Sequence, residues 1–307
     1  MPASPATGIK EAMTKPLSAI VTFATVACAF AGEHASDAHS IKRLFPSRPN
    51  GHEWTNTWNN GHPRTFGGAT DPDDPEFDTD HGDATYTIDG KGHLTATGDT
   101  VRMYVHDPAG EREWGENLEI TAYVTRLSET KTLSWSGPQI FARTNHGTLG
   151  NEKTNLADDR GYGAKVTLDG RWAFEKETAH GKPKGNPGGA STSPWKELPK
   201  DQPIGIKYVL RNCDGGKHVK LELYRDLTAG KDGGDWKKIV EMTDDGASYG
   251  KGADACKQGV PPELPLIRDK VLPDSESGKP MLSVYFRHEY GSMRYEKASI
   301  REIDPLP

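Results

Sequence analysis

Short segments in which apolar and polar residues alternate fill the sequence from residue 85 onward. In one of them Val219, Leu221 and Leu223 alternate with polar or aromatic residues, which is the period of a β-strand with one buried face. Gly, Asp and Pro separate the segments, and the Asp-Gly pairs at 89–90 and 169–170 are typical of tight hairpin turns. The predicted strands are 85–89, 93–97, 101–106, 117–126, 138–145, 162–168, 171–177, 204–211, 217–226, 236–242, 281–288 and 293–302.

Helices are expected to be few and short, because no long window keeps a helical period. Many short antiparallel strands around one core predict an all-β fold, either a sandwich or a barrel, and we favour a β-sandwich over residues 71–307. Three long insertions interrupt the strands at 144–161, 180–203 and 244–279, and loops of this length usually form functional rims or irregular structure. Residues 32–70 are polar and contain several prolines, so we assign them to an irregular N-terminal leader.

The first residues have the form of a secretory signal. Lys10 and Lys15 precede an apolar run at 17–31 that ends in small residues. The run is shorter than the ~20 residues that a membrane-spanning helix needs. We therefore predict a signal peptide over residues 1–31, a secreted, extracellular protein and no membrane association.

Cleavage after residue 31 would change the number of cysteines. It removes Cys28 and leaves Cys213 and Cys256 as an even pair in an oxidising compartment, so a disulfide between them is predicted. In the alternative, Cys28 becomes a lipid-anchored N-terminus. The residues before it make a poor lipidation signal, and we favour free secretion.

Composition narrows the classes of function. The chain has 307 residues, is 34% hydrophobic and contains seven Trp, which suits a domain with a full core. Its net charge of −6 is spread along the chain without a basic face, so nucleic acid is not an expected partner. No phosphate-binding glycine loop and no His or Cys metal spacing occurs in the sequence, so no required cofactor or metal is expected. The acidic run 71–83 leaves a structural Ca²⁺ open, and we expect a monomer.

Two predicted strands bring polar and aromatic side chains to one face. Alternation puts Gln139, Arg143 and Asn145 on one side of their strand, and Tyr285 and Arg287 on one side of a late strand. Arginine pairs with carboxylates and aromatic rings stack on sugars, so such a face suits an extended, hydroxyl-rich, anionic chain. The alternative is the ordinary solvated face of an antiparallel sheet.

Two kinds of resemblance to known families follow from these segments. The hairpin at 85–97 and the strand at 293–303 resemble the first and last strands of concanavalin A-like jelly rolls. Within that fold, Gln139-Ile140-Phe141 and the segment 285–290 resemble polysaccharide lyases of the alginate lyase and glucuronan lyase kind. Those enzymes place Gln-Ile-His and Tyr-Phe-Lys-x-Gly-x-Tyr strands across a concave sheet. Here Phe141 replaces the histidine and Glu289 replaces the glycine.

The resemblance implies a jelly-roll fold and a secreted lyase that degrades an anionic, uronic-acid-containing polysaccharide by β-elimination. Such a reaction needs donors that neutralise the carboxylate and a Tyr or His that takes the proton. The implied catalytic residues are Gln139 and Arg143 as neutralisers, with Tyr290 or His146 as base and acid. The implied substrate-binding residues are Asn145, Tyr162, Lys165, His180, Tyr285 and Arg287.

Other functions remain open at this point. A glycoside hydrolase needs two carboxylates across the scissile bond; Glu175 and Glu177 share a face, but the sequence lacks the Glu-x-Asp-x-x-Glu run of jelly-roll hydrolases. A non-catalytic, lectin-like carbohydrate-binding module on the same fold is the main alternative, and Trp135, Trp172 and Trp195 are compatible with it. An extracellular structural or adhesive domain is the third possibility.

Overall fold

The structure is a computed structural model, and it describes residues 1–3, 36–133, 136–145, 160–179, 183–185, 191–192, 197–249, 263–267 and 283–307. By its internal contacts the chain divides into residues 1–33 and residues 34–307, and the fold described below belongs to the second unit.

The described part of the second unit consists almost entirely of β-strands. In chain order they are β1 (Glu53–Thr55), β2 (Arg64–Phe66), β3 (Thr70–Asp71), β4 (Asp74–Asp78), β5 (Thr85–Ile88), β6 (His93–Val105), β7 (Leu118–Glu129), β8 (Gln139–Thr144), β9 (Gly161–Val166), β10 (Arg171–Glu177), β11 (Pro183–Gly185), β12 (Ser191–Thr192), β13 (Pro203–Cys213), β14 (His218–Asp226), β15 (Lys237–Asp244) and β16 (Ser283–Glu302). Within the described ranges, the one helix is a short 3₁₀ turn at Lys231–Gly233. The predicted fold class, an all-β antiparallel β-sandwich of the jelly-roll type with few and short helices, is confirmed.

The strands form two layers that share the long strand β16. Up to Arg287, β16 lies between β6 and β8, and from Gly291 to Glu296 it lies between β6 and β7. We call β8, β9 and β10 with the first half of β16 the first layer, and β7, β13, β14 and β15 with its second half the second layer. Tyr208 of β13 donates a hydrogen bond to the carbonyl of Tyr162 in β9, so the two layers pack face to face.

At two places where the sequence predicts a break between two strands, the structure has one continuous strand. Segments 93–97 and 101–106 form the single strand β6, and segments 281–288 and 293–302 contribute to the single strand β16. Gly98 and Gly291 stand at the two interruptions and pair with each other. A Cβ at Gly98 would lie 2.8 Å from the Cβ of Ala84, so glycine here permits close packing within a continuous strand.

The structure also differs from the predicted N-terminal boundary. Trp54 lies in β1, which pairs with β16, and both Trp54 and Trp58 are buried in the core. The backbone N–H groups of Leu44 and Phe45 donate hydrogen bonds to the Glu119 carboxylate on the outer face of the second layer. The jelly-roll domain therefore begins before residue 71. The leader packs through two tryptophans and side-chain hydrogen bonds, so it carries no alternating pattern in the sequence.

Buried ion pairs accompany the apolar core. Lys176 of β10 and Asp244 of β15 pair at 2.7 Å across the two layers, and neither side chain is exposed to solvent. The Asp244 carboxylate also accepts a hydrogen bond from the Tyr162 hydroxyl, and the Lys176 ammonium also donates to the carbonyl of Leu264. This contact joins the first layer to the second through a desolvated charge pair.

We predict that Asp244→Ala destabilises the protein by about 3–5 kcal/mol, because it leaves the Lys176 ammonium buried without its carboxylate. Urea unfolding of the variant measures this change. Asp245→Ala, at the exposed neighbouring position, serves as the control and should cost less than about 1 kcal/mol. Equal losses for the two variants would contradict the proposed role of the pair.

A second prediction concerns His288, which is fully buried in β16. Its Nδ1 lies 2.8 Å from the Tyr295 hydroxyl, and burial lowers the pKa of His288 to about 3. The unfolded chain binds a proton at this histidine near its ordinary pKa of about 6.5, so acid favours unfolding. The free energy of unfolding should therefore fall from about pH 6 to about pH 4, by up to about 1.4 kcal/mol per pH unit from this residue. Chemical unfolding at several pH values tests this, and His288→Gln should flatten the profile.

Candidate functional site

Strand register aligns a row of side chains across the outer face of the first layer. Tyr104 of β6 pairs with Tyr285 of β16, and Tyr285 pairs with Phe141 of β8. Phe141 in turn pairs with Gly163 of β9, which pairs with Glu175 of β10. Directly paired residues of a sheet point to the same side, so these five positions share one face.

A second, polar row lies beside the first. Arg287 pairs with Gln139, and Gln139 pairs with Lys165. The Arg287 Nε–H donates a hydrogen bond to the Gln139 side-chain oxygen, and the Lys165 ammonium donates to Glu175. The two rows are thus linked through their side chains, and we call Gln139, Phe141, Lys165, Glu175, Glu177, Tyr285 and Arg287 the Arg287 cluster.

The aromatic residues of the first row form a stack. The ring centroids of Tyr104 and Tyr285 are 5.0 Å apart, and those of Phe141 and Tyr285 are 4.9 Å apart with nearly parallel planes. The Arg287 guanidinium lies 4.3 Å from the Phe141 centroid, a cation–π contact. All three rings are buried, so the stack supports the polar groups above it rather than offering a ring to solvent.

Gly163 makes room for this stack. A Cβ at Gly163 would lie 2.5 Å from Cζ of Phe141, well inside van der Waals contact. The absence of a side chain therefore lets the Phe141 ring lie against the backbone of β9. This position fixes the platform on which Arg287 rests.

Arg287 is held by two carboxylates. Its Nη2 donates to Glu175 at 3.0 Å and its Nη1 to Glu177 at 3.2 Å, with the Tyr285 hydroxyl 3.3 Å from Nη1. Burial alone would raise the pKa of Glu175, but Arg287 and Lys165 outweigh it and hold this pKa below its ordinary value. Glu175 is therefore ionised at neutral pH.

The charges within the cluster balance. Arg287 and Lys165 carry the positive charges, and Glu175 and Glu177 carry the negative ones. Their side chains are between 7% and 16% exposed, so the four charged groups are largely removed from solvent. The arrangement is a rigid set of hydrogen-bond donors and acceptors without an excess of either charge.

Four predicted site residues come together in this cluster: Gln139, Lys165, Tyr285 and Arg287. Their functional roles stay predictions. Glu175 and Glu177 are the members that sequence reasoning set aside. Alternation along β10 is enough to place both glutamates on the outer face, because Trp172, Phe174 and Lys176 occupy the alternate positions and face the interior.

Arg143 does not reach the outer face, contrary to the prediction. Its φ of 53° and a register shift between β8 and β16 break the alternation of the strand. The Arg143 guanidinium instead points into the interior, where Nε donates to the carbonyl of Glu116 at 2.8 Å and Nη1 to that of Leu266 at 2.7 Å. Its side chain is 1% exposed, and burial lowers its pKa.

Tyr162 and Asn145 are buried as well. The Tyr162 hydroxyl lies between the layers and donates to Asp244, so the prediction that Tyr162 lines an outer cleft is wrong. The Asn145 side-chain oxygen accepts a hydrogen bond from the backbone N–H of Arg160 at 3.1 Å, so Asn145 holds the adjoining chain.

Tyr290 stands where β16 bends, with a φ of 55°. Its ring lies beneath the Lys131 ammonium, 4.4 Å from the centroid, and its carbonyl accepts a hydrogen bond from Thr130. The structure thus ties Tyr290 to the end of β7 rather than to the Arg287 cluster. The predicted residues His146 and His180 lie outside the described residues.

The acidic run 71–83, which left a structural Ca²⁺ open, has protein partners. Asp71 binds Arg64, and Asp74 accepts a hydrogen bond from the Trp54 indole. Asp78 lies 3.3 Å from His106. Within the described ranges, no group of three or more His, Cys, Asp and Glu side chains is arranged to hold a metal ion.

Two further sequence predictions concern Cys213 and the membrane. Cys213 is a buried, free thiol in the structure, and Cys256 lies outside the described residues, so the disulfide stays a prediction. No helix in the described part of the chain is long and apolar enough to cross a bilayer.

Comparisons with known proteins give structural likenesses only. No family model matches the chain, and no curated protein sequence matches it. Among solved structures, a Bacillus subtilis protein of unknown function with a galectin-like fold is 11% identical, with a TM-score of 0.44 over 85% of this chain and 100% of that one. Lectin II from Ulex europaeus is 11% identical, with a TM-score of 0.40 over 79% of this chain and 98% of that one. A Ca²⁺- and Man3GlcNAc-bound VIP36 exoplasmic/lumenal domain is 9% identical, with a TM-score of 0.41 over 79% of this chain and 91% of that one. Likenesses of this size assign no function.

We predict that Gly163→Ala destabilises the protein by about 1–3 kcal/mol, because the added methyl group overlaps the Phe141 ring. Urea unfolding measures the loss. The double variant Gly163→Ala with Phe141→Leu tests the cause, since the smaller side chain leaves space for the methyl group. The double variant should lose less stability than the sum of the two single variants; a simple sum would refute the steric explanation.

Proposed function

We propose that this protein binds a carbohydrate chain, without cleaving it, at the Arg287 cluster on the outer face of the first layer. The observation that carries the proposal is the immobilised Arg287 guanidinium, which rests on Phe141 and is hydrogen-bonded to Gln139, Glu175 and Glu177. Sugar hydroxyls both donate and accept hydrogen bonds, so a fixed array of guanidinium, ammonium, amide and carboxylate groups suits them.

Preorganisation favours binding at this face. The cluster's side chains are already fixed by one another, so a ligand orders few of them when it binds. The strands of the first layer also run side by side from β16 to β10, with neighbouring strands about 4.8 Å apart. A sugar chain that crosses the strands would therefore meet the partly exposed side chains of Arg287, Lys165 and Glu175 on successive strands.

The charge balance bears on the class of carbohydrate. The resemblance to polysaccharide lyases implies an anionic polysaccharide. A uronate carboxylate would compete with Glu175 and Glu177 for Arg287, and these two are already in contact with it. The local charge therefore favours a neutral, hydroxyl-rich glycan over a polyuronate.

β-Elimination is the second candidate, and one contact favours it. The Tyr285 hydroxyl lies 3.3 Å from Nη1 of Arg287 and in the strand that resembles the terminal lyase motif. In this version Tyr285, rather than Tyr290, would take the proton. Phe141, however, cannot transfer a proton where the lyases have histidine, and Arg143 is unavailable as a neutraliser. We therefore rank binding above catalysis.

We also propose that the protein is secreted, as its signal-like N-terminus predicts.

In affinity electrophoresis, we expect a neutral soluble glucan in the gel to retain the protein more strongly than alginate or a polyglucuronate does. Arg287→Met should lower this retention at least about tenfold, because it removes the donor that organises both glutamates. Arg171→Met, in an exposed arginine of the same strand β10 as Glu175, serves as the matched control and should bind like the unmodified protein. Thermal unfolding of both variants separates loss of binding from loss of fold.

The same samples distinguish the two candidates. The ultraviolet absorbance of the unsaturated sugar that β-elimination produces should stay constant with every polymer. An increase with alginate or a polyglucuronate that Tyr285→Phe abolishes would replace the binding proposal with the lyase. Unchanged retention of the folded Arg287→Met variant would remove the cluster from the binding site.

A further inference from the structure

A separate cavity of about 410 Å³ lies at the other half of β16. It is lined by the turn residues 38–40, by Asn59, by the β5–β6 turn at 91–93 and by Glu296 and Lys297. None of these residues belongs to the Arg287 cluster. The volume is within the range of small-molecule sites, and the lining is predominantly polar.

A β-bulge brings two adjacent side chains to this cavity. Neighbouring residues of a regular strand point to opposite faces, yet Glu296 and Lys297 both line the cavity while Tyr295 and Ala298 lie in the core. The pairing of β16 with β7 shifts register between Glu296 and Ser299, and Lys297 has a φ of 51°. This conformation is strained for a residue with a side chain, and bulges of this kind often redirect side chains at binding sites.

The Glu296 carboxylate at the cavity already contacts two basic side chains. His93 lies between two carboxylates, with Nδ1 2.7 Å from Asp89 and Nε2 3.2 Å from Glu296. The other Glu296 oxygen lies 3.6 Å from the Lys297 ammonium. Glu296 therefore offers its oxygens as hydrogen-bond acceptors without dominating the local charge.

A positive charge remains at the rim. Among the residues that the structure describes, no carboxylate lies within ion-pair distance of the Lys91 ammonium, although the Lys91 backbone N–H is fixed by Asp89 at 2.7 Å. His39 adds no charge, because burial lowers its pKa and its Nε2 accepts a hydrogen bond from the Asn56 amide. The cavity thus combines the Lys91 ammonium, which has no carboxylate partner among the described residues, with the paired Glu296 and Lys297 side chains and with uncharged donors and acceptors.

We propose that this cavity is a second binding site, for a small hydroxylated monoanion of the size of a sugar acid. The ligand's carboxylate pairs with the Lys91 ammonium at the rim. Its hydroxyl groups meet the Glu296 carboxylate, the Asn59 amide and the Ser40 hydroxyl, which line the same cavity. The site is independent of the proposed polysaccharide site, since the two share no residue.

The test uses the full chain with D-glucuronate as the probe and D-glucose as its uncharged counterpart. Isothermal titration calorimetry should detect glucuronate binding, with glucose at least about fivefold weaker because it lacks the charge. Two-dimensional amide NMR should place the glucuronate-dependent shifts at residues 38–40, 91–93 and 296–297. Lys91→Gln should weaken glucuronate binding about fivefold and leave retention on a soluble glucan unchanged.

A matched control uses Lys237→Gln, which removes an exposed lysine on β15 and should leave glucuronate binding unchanged. Four outcomes would overturn the proposal. They are no glucuronate binding at millimolar concentration, equal affinity for glucose, equal effects of Lys91→Gln and Lys237→Gln, and amide shifts confined to the Arg287 cluster. Because Lys91 is an exposed turn residue, its substitution does not put the fold at risk.

Discussion

The strand β16 is the constraint on which the rest of the structure depends. It pairs with β8 in the first layer and with β7 in the second, so one continuous backbone sets the position of both. Its first half carries Tyr285 and Arg287, and the bulge in its second half carries Glu296 and Lys297. The change of partner at Gly291 separates these two groups. Both proposed sites therefore take their geometry from the register of a single strand.

Desolvated charges hold the two outer faces. On the second layer the Glu119 carboxylate binds Lys207 at 2.7 Å and Arg301 at 2.5 Å, and it also anchors the N-terminal segment. On the first layer Arg287 binds Glu175 and Glu177. A buried pair costs desolvation free energy that its own attraction roughly offsets, so its main effect here is to fix geometry. The main contribution of these ion pairs is therefore to fix the side chains of the two outer faces in place.

Alternation in the sequence predicts most of the strands and one face of the site, because successive side chains of a half-buried strand point alternately to the core and to the outer face. The same rule correctly places Gln139 and Arg287 on the same face of the sheet. It failed where the backbone departs from the regular pleat. A positive φ turned Arg143 inward, and Gly98 lies inside a strand that sequence reasoning divided. Such departures arise from contacts between distant segments, which a local pattern does not contain.

The N-terminal segment has a consequence for valency. It covers the outer face of the second layer around Glu119, with the Phe45 ring 3.9 Å from the guanidinium carbon of Arg211. A polymer that meets the sandwich can then engage the face of the first layer but not the equivalent region of the second. Under the proposed function, each jelly-roll domain therefore offers one face to a polysaccharide. As the monomer that the sequence predicts, the protein would bind without bridging two chains, and so without the avidity and precipitation that bivalent lectins produce.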